Sequence, residues 1–307
     1  MFGTLNSTSG PERDELSKEL HVLAAGLKPM ATWHKNEALQ TARECCGGMG
    51  FLAANRIAIL RIDSDIDTTW EGDNTVLLQQ VSGSLLKEFK DQFKGDSAPS
   101  KFRGLLRYLE SETLFSWQTS KLNPNAQQHK SVGKRQLRDV DFYLSAFRFR
   151  EGRLLRALVN RLGSAKKGVD PFDTWNLAGD LVGELAKSHV ERQLLEAFVD
   201  EIEQLDTQQA SEEQASLIPV LRSLCSIYAL TTIQKNMGFY LTFRFFSAAT
   251  SKSMWDTINS LCAKLAPMSL SLVDAFGIPD TMLAAPIAGD WKEQYTYPNV
   301  PGYTKKE

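Results

Sequence analysis

Apolar residues recur along most of this chain at steps of three and four, the spacing that puts side chains on one face of a helix. Leu16, Leu20, Leu23, Leu27 and Met30 open the series. They follow Pro11 in an N1-like position and Glu12, Asp14 and Glu15 in a first turn, where acids suit the helix dipole. The pattern runs to about Cys46; Pro29 is expected to kink it, and Gly47, Gly48 and Gly50 to end it. Residues 1–10 are polar and expected to be loose. Residues 51–64 read as a helical turn or two. Val76, Leu77, Val81, Leu85 and Leu86 predict a further helix that fades in the charged run Lys87–Lys94.

The stretch 95–100, GDSAPS, reads as a polar linker. Beyond it a helix is predicted from Phe102 to Trp117, broken by Asn123-Pro124-Asn125, with a loop over 125–133. From Lys134 to Leu162 an apolar stripe follows: Leu137, Val140, Leu144, Phe147, Leu154, Leu158, Leu162. Asp170-Pro171 opens the next helix, with Leu181, Leu185, Leu195, Phe198, Ile202 and Leu205 inward. Ser211-Glu212-Glu213-Gln214 is a capping-box pattern for another, carrying Leu217, Leu221, Leu224 and Tyr228 on one face and ended by Gly238-Phe239-Tyr240. The last helix is predicted over 252–276, bent at Pro267 and stopped by Gly277-Ile278-Pro279, with an extended Pro-rich tail from Ala285. No segment alternates as a strand would, and no internal repeat is present. The fold class is therefore all-α, two consecutive helical bundles over 1–94 and 101–307.

Charge refines this picture without redirecting it. The 307 residues are 42% hydrophobic and 23% charged, ordinary for a soluble globular protein. A formal net charge of −2 offers no electrostatic argument for nucleic acid or an anionic membrane. No apolar run approaches the ~20 residues of a membrane span. The opening MFGTLNSTSG lacks the basic and apolar regions of a secretory signal. Cys45, Cys46, Cys225 and Cys262 suggest reduced thiols rather than a disulfide framework. His21, His34, His129 and His189 are scattered, so no metal site is expected. Arg135, Arg138, Arg148, Arg150, Arg153, Arg156 and Arg161 share the helix of the long stripe. They could meet phosphates or a partner, but the reading preferred is pairing with the acidic face Glu191, Glu196, Asp200, Glu201 and Glu203. The cluster Phe239, Tyr240, Phe243, Phe245 and Phe246 reads as packing rather than a binding platform.

The chemistry concentrates in Asp65–Val81, DIDTTWEGDNTVLLQQV. Glu71 stands at a loop-to-helix junction between Trp70 and Gly72. Trp70 could exclude water and raise the carboxyl pKa toward that of a general base, while Gly72 admits close backbone approach. The plainer alternative makes Asp73 or Asn74 an N-cap and Glu71 a solvated neighbour. The earlier turn, CGGMGF at 46–51, likewise has two readings: a C-cap with φ > 0, or bare backbone able to lie against a phosphate or an adenine. It is not a dinucleotide fingerprint, since no strand precedes it.

Taken together, LHVLAAGLKPMATW, CGGMGF, TTWEGDNTVLLQQV, LVDAFGIPD and APIAGDW resemble, in this order, the acyl-CoA oxidases. The resemblance covers nearly the whole chain but only the family's C-terminal half. It implies FAD as cofactor, an acyl-CoA substrate, and oxidation to a trans-2-enoyl-CoA with hydrogen peroxide, the first step of peroxisomal β-oxidation. Glu71 matches the family's catalytic base, whose own backbone N–H helps bind the thioester oxygen. Gly47 and Gly48 match the turn that meets the neighbouring subunit's flavin, with Glu44 beside them where related dehydrogenases carry Gln. Asp73 and Thr75 match positions near the flavin diphosphate; an anionic Asp73 suits a helix cap better than a phosphate contact. The Glu-Gly-Asp-Asn form and the long continuation after Glu71 favour oxidase over dehydrogenase. A homodimer, or association with an N-terminal flavin-domain half, is implied, as is a peroxisomal location, although Tyr303–Glu307 is no SKL-type address. The family's N-terminal helical domain and β-domain find no match here, so the isolated chain is expected to hold flavin weakly or not at all and not to turn over. The alternative function is a non-catalytic helical assembly module derived from such an oxidase.

Overall fold

The computed structural model describes residues 10–91, 136–164, 168–207, 212–279, 282–283 and 285–289. The expected loose start 1–9, linker 95–100, helix 102–117, break at Asn123–Asn125, loop 125–133, cap Ser211 and the tail beyond 289 lie outside these. Among the described residues every regular element is helical. The helices are α1 (Pro11–Cys45), α2 (Gly47–Phe51), α3 (Ile57–Asp65), α4 (Asn74–Asp91), α5 (Val140–Gly163), α6 (Pro171–Asn176), α7 (Gly179–Thr207), α8 (Glu212–Lys235), α9 (Met237–Thr242), α10 (Ala248–Leu265) and α11 (Ser269–Asp274). The all-α expectation is met. The chain divides into two compact units, residues 1–26 with 78–267 and residues 27–77 with 268–307.

The first unit is built on α5 against α7, α7 against α8, and α8 against α10. Tyr143, Leu195, Leu230, Ile233 and Met254 are fully buried in its core. The stripe predicted from Lys134 holds, but its helix starts later. Leu137 sits in a 3₁₀ turn at Gln136–Arg138, and Asp139 caps α5 by accepting from the backbone N–H of Asp141 at 3.1 Å. The helix predicted from Asp170-Pro171 is two. Asp170 caps α6 at the N–H of Phe172, 2.8 Å away, but buried Ala178 turns the chain before α7. Asn236, not Gly238, closes α8: its side-chain amide donates to the Thr232 carbonyl at 2.9 Å, and Gly238 lies within α9. The last predicted helix begins earlier, where Ser247 caps the N–H of Thr250. It breaks at the 3₁₀ turn Ala266–Met268 around Pro267. The aromatic cluster is packing, as expected: Tyr240 and Phe246 rings are 5.0 Å apart and Phe149 stacks on Phe245 at 4.3 Å.

The basic face of α5 is answered by acids from α7. Arg148 bonds Glu196 at 3.0 Å, and Arg150, 4% exposed, lies between Glu184 (2.9 Å) and Glu191. Glu151 accepts from His189 at 2.8 Å and pairs with Arg192. Burial alone would raise the Glu151 pKa; the hydrogen bond from His189 and the charge of Arg192 outweigh it and bring it down to about 2. Burial wins at Glu191, whose pKa is raised despite Arg150.

One described stretch, Gln214–Lys235, is long and apolar enough by length and composition to cross a membrane. Cys225, Ala229, Leu230 and Ile233 of that helix lie in the first unit's core. Its apolarity serves packing between helices.

In the second unit α1 runs through Pro29 without a break, and the Thr32 hydroxyl donates to the Lys28 carbonyl at 2.9 Å. Asn55, 1% exposed, ties two distant stretches together. Its amide donates to the Met49 carbonyl at 2.8 Å and its oxygen accepts the N–H of Ile287 at 3.0 Å. Those bonds fix the glycine turn and the late 3₁₀ turn Pro286–Ala288 against one residue.

Candidate functional site

The loop that carries Glu71 is built in three steps. A 3₁₀ turn at Ile66–Thr68 ends α3, and the N–H groups of Thr69 and Trp70 both bond the Ile66 carbonyl, at 2.9 and 3.0 Å. Glu71 and Gly72 then take positive φ angles, 55° and 104°. This left-handed step is easy for Gly72 and costs a side-chain-bearing Glu about 1–2 kcal/mol. Asp73 finally caps α4: one carboxylate oxygen accepts from Thr75 at 2.9 Å and from Val76 at 3.3 Å.

Helix α1 grips this loop from one face, at positions i, i+4 and i+7. Lys28 Nζ donates to the Gly72 carbonyl at 2.7 Å and to Asn74 Oδ1 at 2.8 Å. Asn74, 1% exposed, donates in turn to the Thr32 hydroxyl at 3.0 Å. Lys35 pairs with Asp67. Neither Lys28, Thr32 nor Asn55 was singled out in the sequence. For Lys28 and Thr32 the signal was the LKPMATWHK spacing, which with Lys35 sets three polar side chains along one side of a helix otherwise judged by its apolar residues.

Expected burial of the base does not hold in this chain: Glu71 is exposed and Trp70 is 55% exposed. Glu71 is exposed at the left-handed step, while the bonds from α1 reach the Gly72 carbonyl and Asn74 beyond it. Among the described hydrogen bonds none uses the Glu71 backbone N–H. Thr75 is exposed, with its own N–H taken by Asp73.

The glycine turn separates into distinct roles. Gly47 has φ 56°, and a Cβ placed at Gly47 or Gly48 would meet nothing within 4 Å. At Gly50 it would strike the Arg43 carbonyl at 2.3 Å, so this glycine is needed for packing. Glu44 bonds Gln40 and lies 3.6 Å from Arg43. Structure thus brings together Glu44, Gly47 and Gly48 at the α1–α2 junction, and Glu71, Asp73 and Thr75 at the start of α4. Among the described hydrogen bonds and ion pairs none joins the two groups. Exposed apolar side chains are numerous on this unit: Phe51 at 72%, Ile62 at 75%, Leu270 at 78% and Phe276 at 80%.

Among the described residues the chain is of the all-helical class, with an exposed carboxylate, Glu71, at a left-handed turn just before a helix. The family model for "Acyl-CoA oxidase, C-alpha1 domain" matches residues 3–86, and that for "Acyl-CoA oxidase" matches residues 139–290. Acyl-coenzyme A oxidase 2, peroxisomal, of Arabidopsis thaliana is 36% identical over 285 residues, 92% of this chain and 39% of that protein. The acyl-coenzyme A oxidase-like protein of Mus musculus is 32% identical over 276 residues, 89% of this chain and 40% of that protein. In fold, acyl-coA oxidase1 of Yarrowia lipolytica superposes with a TM-score of 0.73 at 21% identity, over 93% of this chain and 40% of that one. Caenorhabditis elegans acyl-CoA oxidase-2, a structure bound with FAD, ascaroside-CoA and ATP, does so at 0.70 and 19% identity, over 94% of this chain and 40% of that one. The chain belongs to the acyl-CoA oxidase family and corresponds to its C-terminal half. It spans about two fifths of the length of the curated relatives it matches.

Proposed function

We propose that this chain is the base-bearing helical part of a flavin-dependent acyl-CoA oxidase. With the remaining, flavin-enclosing part it converts an acyl-CoA and O₂ to a trans-2-enoyl-CoA and H₂O₂, in the first step of peroxisomal fatty acid β-oxidation. The observation that carries this reading is Glu71, a carboxylate held at a fixed left-handed turn with its backbone N–H unclaimed by the described hydrogen bonds. The carboxylate takes the α-proton of the thioester. The same residue's N–H donates to the thioester oxygen, where developing enolate charge needs a fixed donor. Trp70 and the exposed apolar residues of the second unit suit a surface that another part of the enzyme covers, excluding water from the base.

FAD, when bound, supplies the acceptor for the β-hydride and returns the electrons to oxygen. Gly47 and Gly48 fit such a group, because their open, side-chain-free backbone admits close approach of a neighbouring subunit's cofactor. Glu44, which borders that turn, and Thr75 are the further residues that would hold the cofactor. Asp73 serves by ordering the loop, since its carboxylate is spent on the cap. The two matched family regions, 3–86 and 139–290, support a first family domain within 1–94 and a second within 101–307, whereas the compact units of the fold each draw on both stretches. A homodimer completes the cofactor-sharing turn. The peroxisomal location follows the relatives' names.

The test is complementation. The chain is mixed with the N-terminal flavin-domain half of the Arabidopsis relative, and flavin absorbance and acyl-CoA-dependent peroxide are measured. Yellow, active complex that loses turnover on Glu71→Gln is expected. Assembly without peroxide would replace this reading with the helical assembly module.

A further inference from the structure

We propose that Lys28 is a positioning residue for Glu71: bonded at once to the Gly72 carbonyl and the buried Asn74 side chain, it holds the base loop in its left-handed turn. This rests on the reading of Glu71 as the base. Two consecutive positive φ angles, one at a residue with a Cβ, do not persist in an exposed loop without outside restraint. Three restraints come from α1. Lys35 pairs with Asp67 before the turn, and Thr32 reaches Asn74 after it. Of the three, Lys28 alone bonds the backbone of the turn itself, at 2.7 Å, while also donating to Asn74 Oδ1 at 2.8 Å, beside a longer bond from the Thr32 hydroxyl at 3.3 Å.

A cation is suited to that double task. Hydrogen bonds from an ammonium are roughly twice as strong as neutral ones, and its donors can point at two acceptors at once. Asp73 fixes the first turn of α4 whether or not Lys28 is present, so the helix would survive the loss of the lysine. The residues released would be Glu71 and Gly72, whose conformation sets the direction of the carboxylate and of the Glu71 N–H. Lys28 therefore acts on geometry at the reacting atoms without touching substrate.

Amide hydrogen exchange on the purified chain tests the clamp directly. Lys28→Met, similar in length but without donors, should speed exchange in the peptide covering residues 69–75 by about tenfold. Exchange elsewhere in α1 and the thermal midpoint should stay close to wild type, and Lys28→Arg should restore most of the protection. Wild-type exchange in Lys28→Met overturns the clamp. In the complex with the flavin-domain half, Lys28→Met should lower kcat on the order of 10²-fold with KM little changed. Lys28→Arg should recover it. A raised KM with intact kcat overturns the positioning role. Full turnover in Glu71→Gln overturns the base assignment, and with it the catalytic part of this proposal, even where the exchange result stands.

Discussion

Asp73 accepts the backbone N–H of Thr75 at 2.9 Å, and this bond turns the most acidic part of the candidate site into a helix cap. Asp73→Ala should therefore destabilise the chain by about 1 kcal/mol, with Asp73→Asn within a few tenths of wild type. Urea unfolding checks this. A stability loss equally large in the Asn variant would mean that the charge, not the cap, matters.

Glu71 is held where glycine would be more comfortable. Glu71→Gly relieves a steric cost of about 1–2 kcal/mol and adds back part of it as unfolded-state entropy, for a net gain of up to about 1 kcal/mol. The same variant should have no peroxide-forming activity in the assembled enzyme. A residue kept against local stability is what a site residue looks like; a destabilised Gly variant would remove that argument.

Acid should weaken the α5–α7 contact. Glu151 has its folded pKa depressed from 4.5 to about 2, so its contribution is fully present above 4.5 and is lost as the pH falls through about 2. By linkage that contribution is about 3 kcal/mol. Glu151→Gln should flatten this acid limb in a pH series of urea melts. At neutral pH it should cost roughly 3–5 kcal/mol, because Arg192 and His189 lose their buried partner.

Two helical glycines should respond in opposite directions. A Cβ at Gly26 would lie 2.4 Å from Cγ2 of buried, β-branched Val190, so Gly26→Ala should cost about 1–3 kcal/mol. At Gly83, inside α4, the same atom meets nothing within 4 Å. Gly83→Ala should stabilise by about 0.5–1 kcal/mol. Thermal melts of the pair separate the two cases.

The helices were legible because their apolar stripes repeat locally, and the pairing of the α5 arginines with α7 acids was legible from complementary faces. Boundaries were misread where a single polar side chain decides them. Asp139 and Asn236 end or start helices through one hydrogen bond each, which periodicity does not register. What Lys28 and Asn55 bond was not legible, for a different reason. Lys28 bonds residues 44 and 46 positions away, and Asn55 reaches Ile287 across 232.

The sequence by itself determined the helical class and the family, and it named Glu71 as the candidate carboxylate, because each is written in local spacing or in motifs read in order. Only the tertiary structure decided that the carboxylate faces outward from a left-handed turn, and which helix holds that turn. Such facts depend on which distant donors reach a few backbone carbonyls, and chain position does not encode that distance.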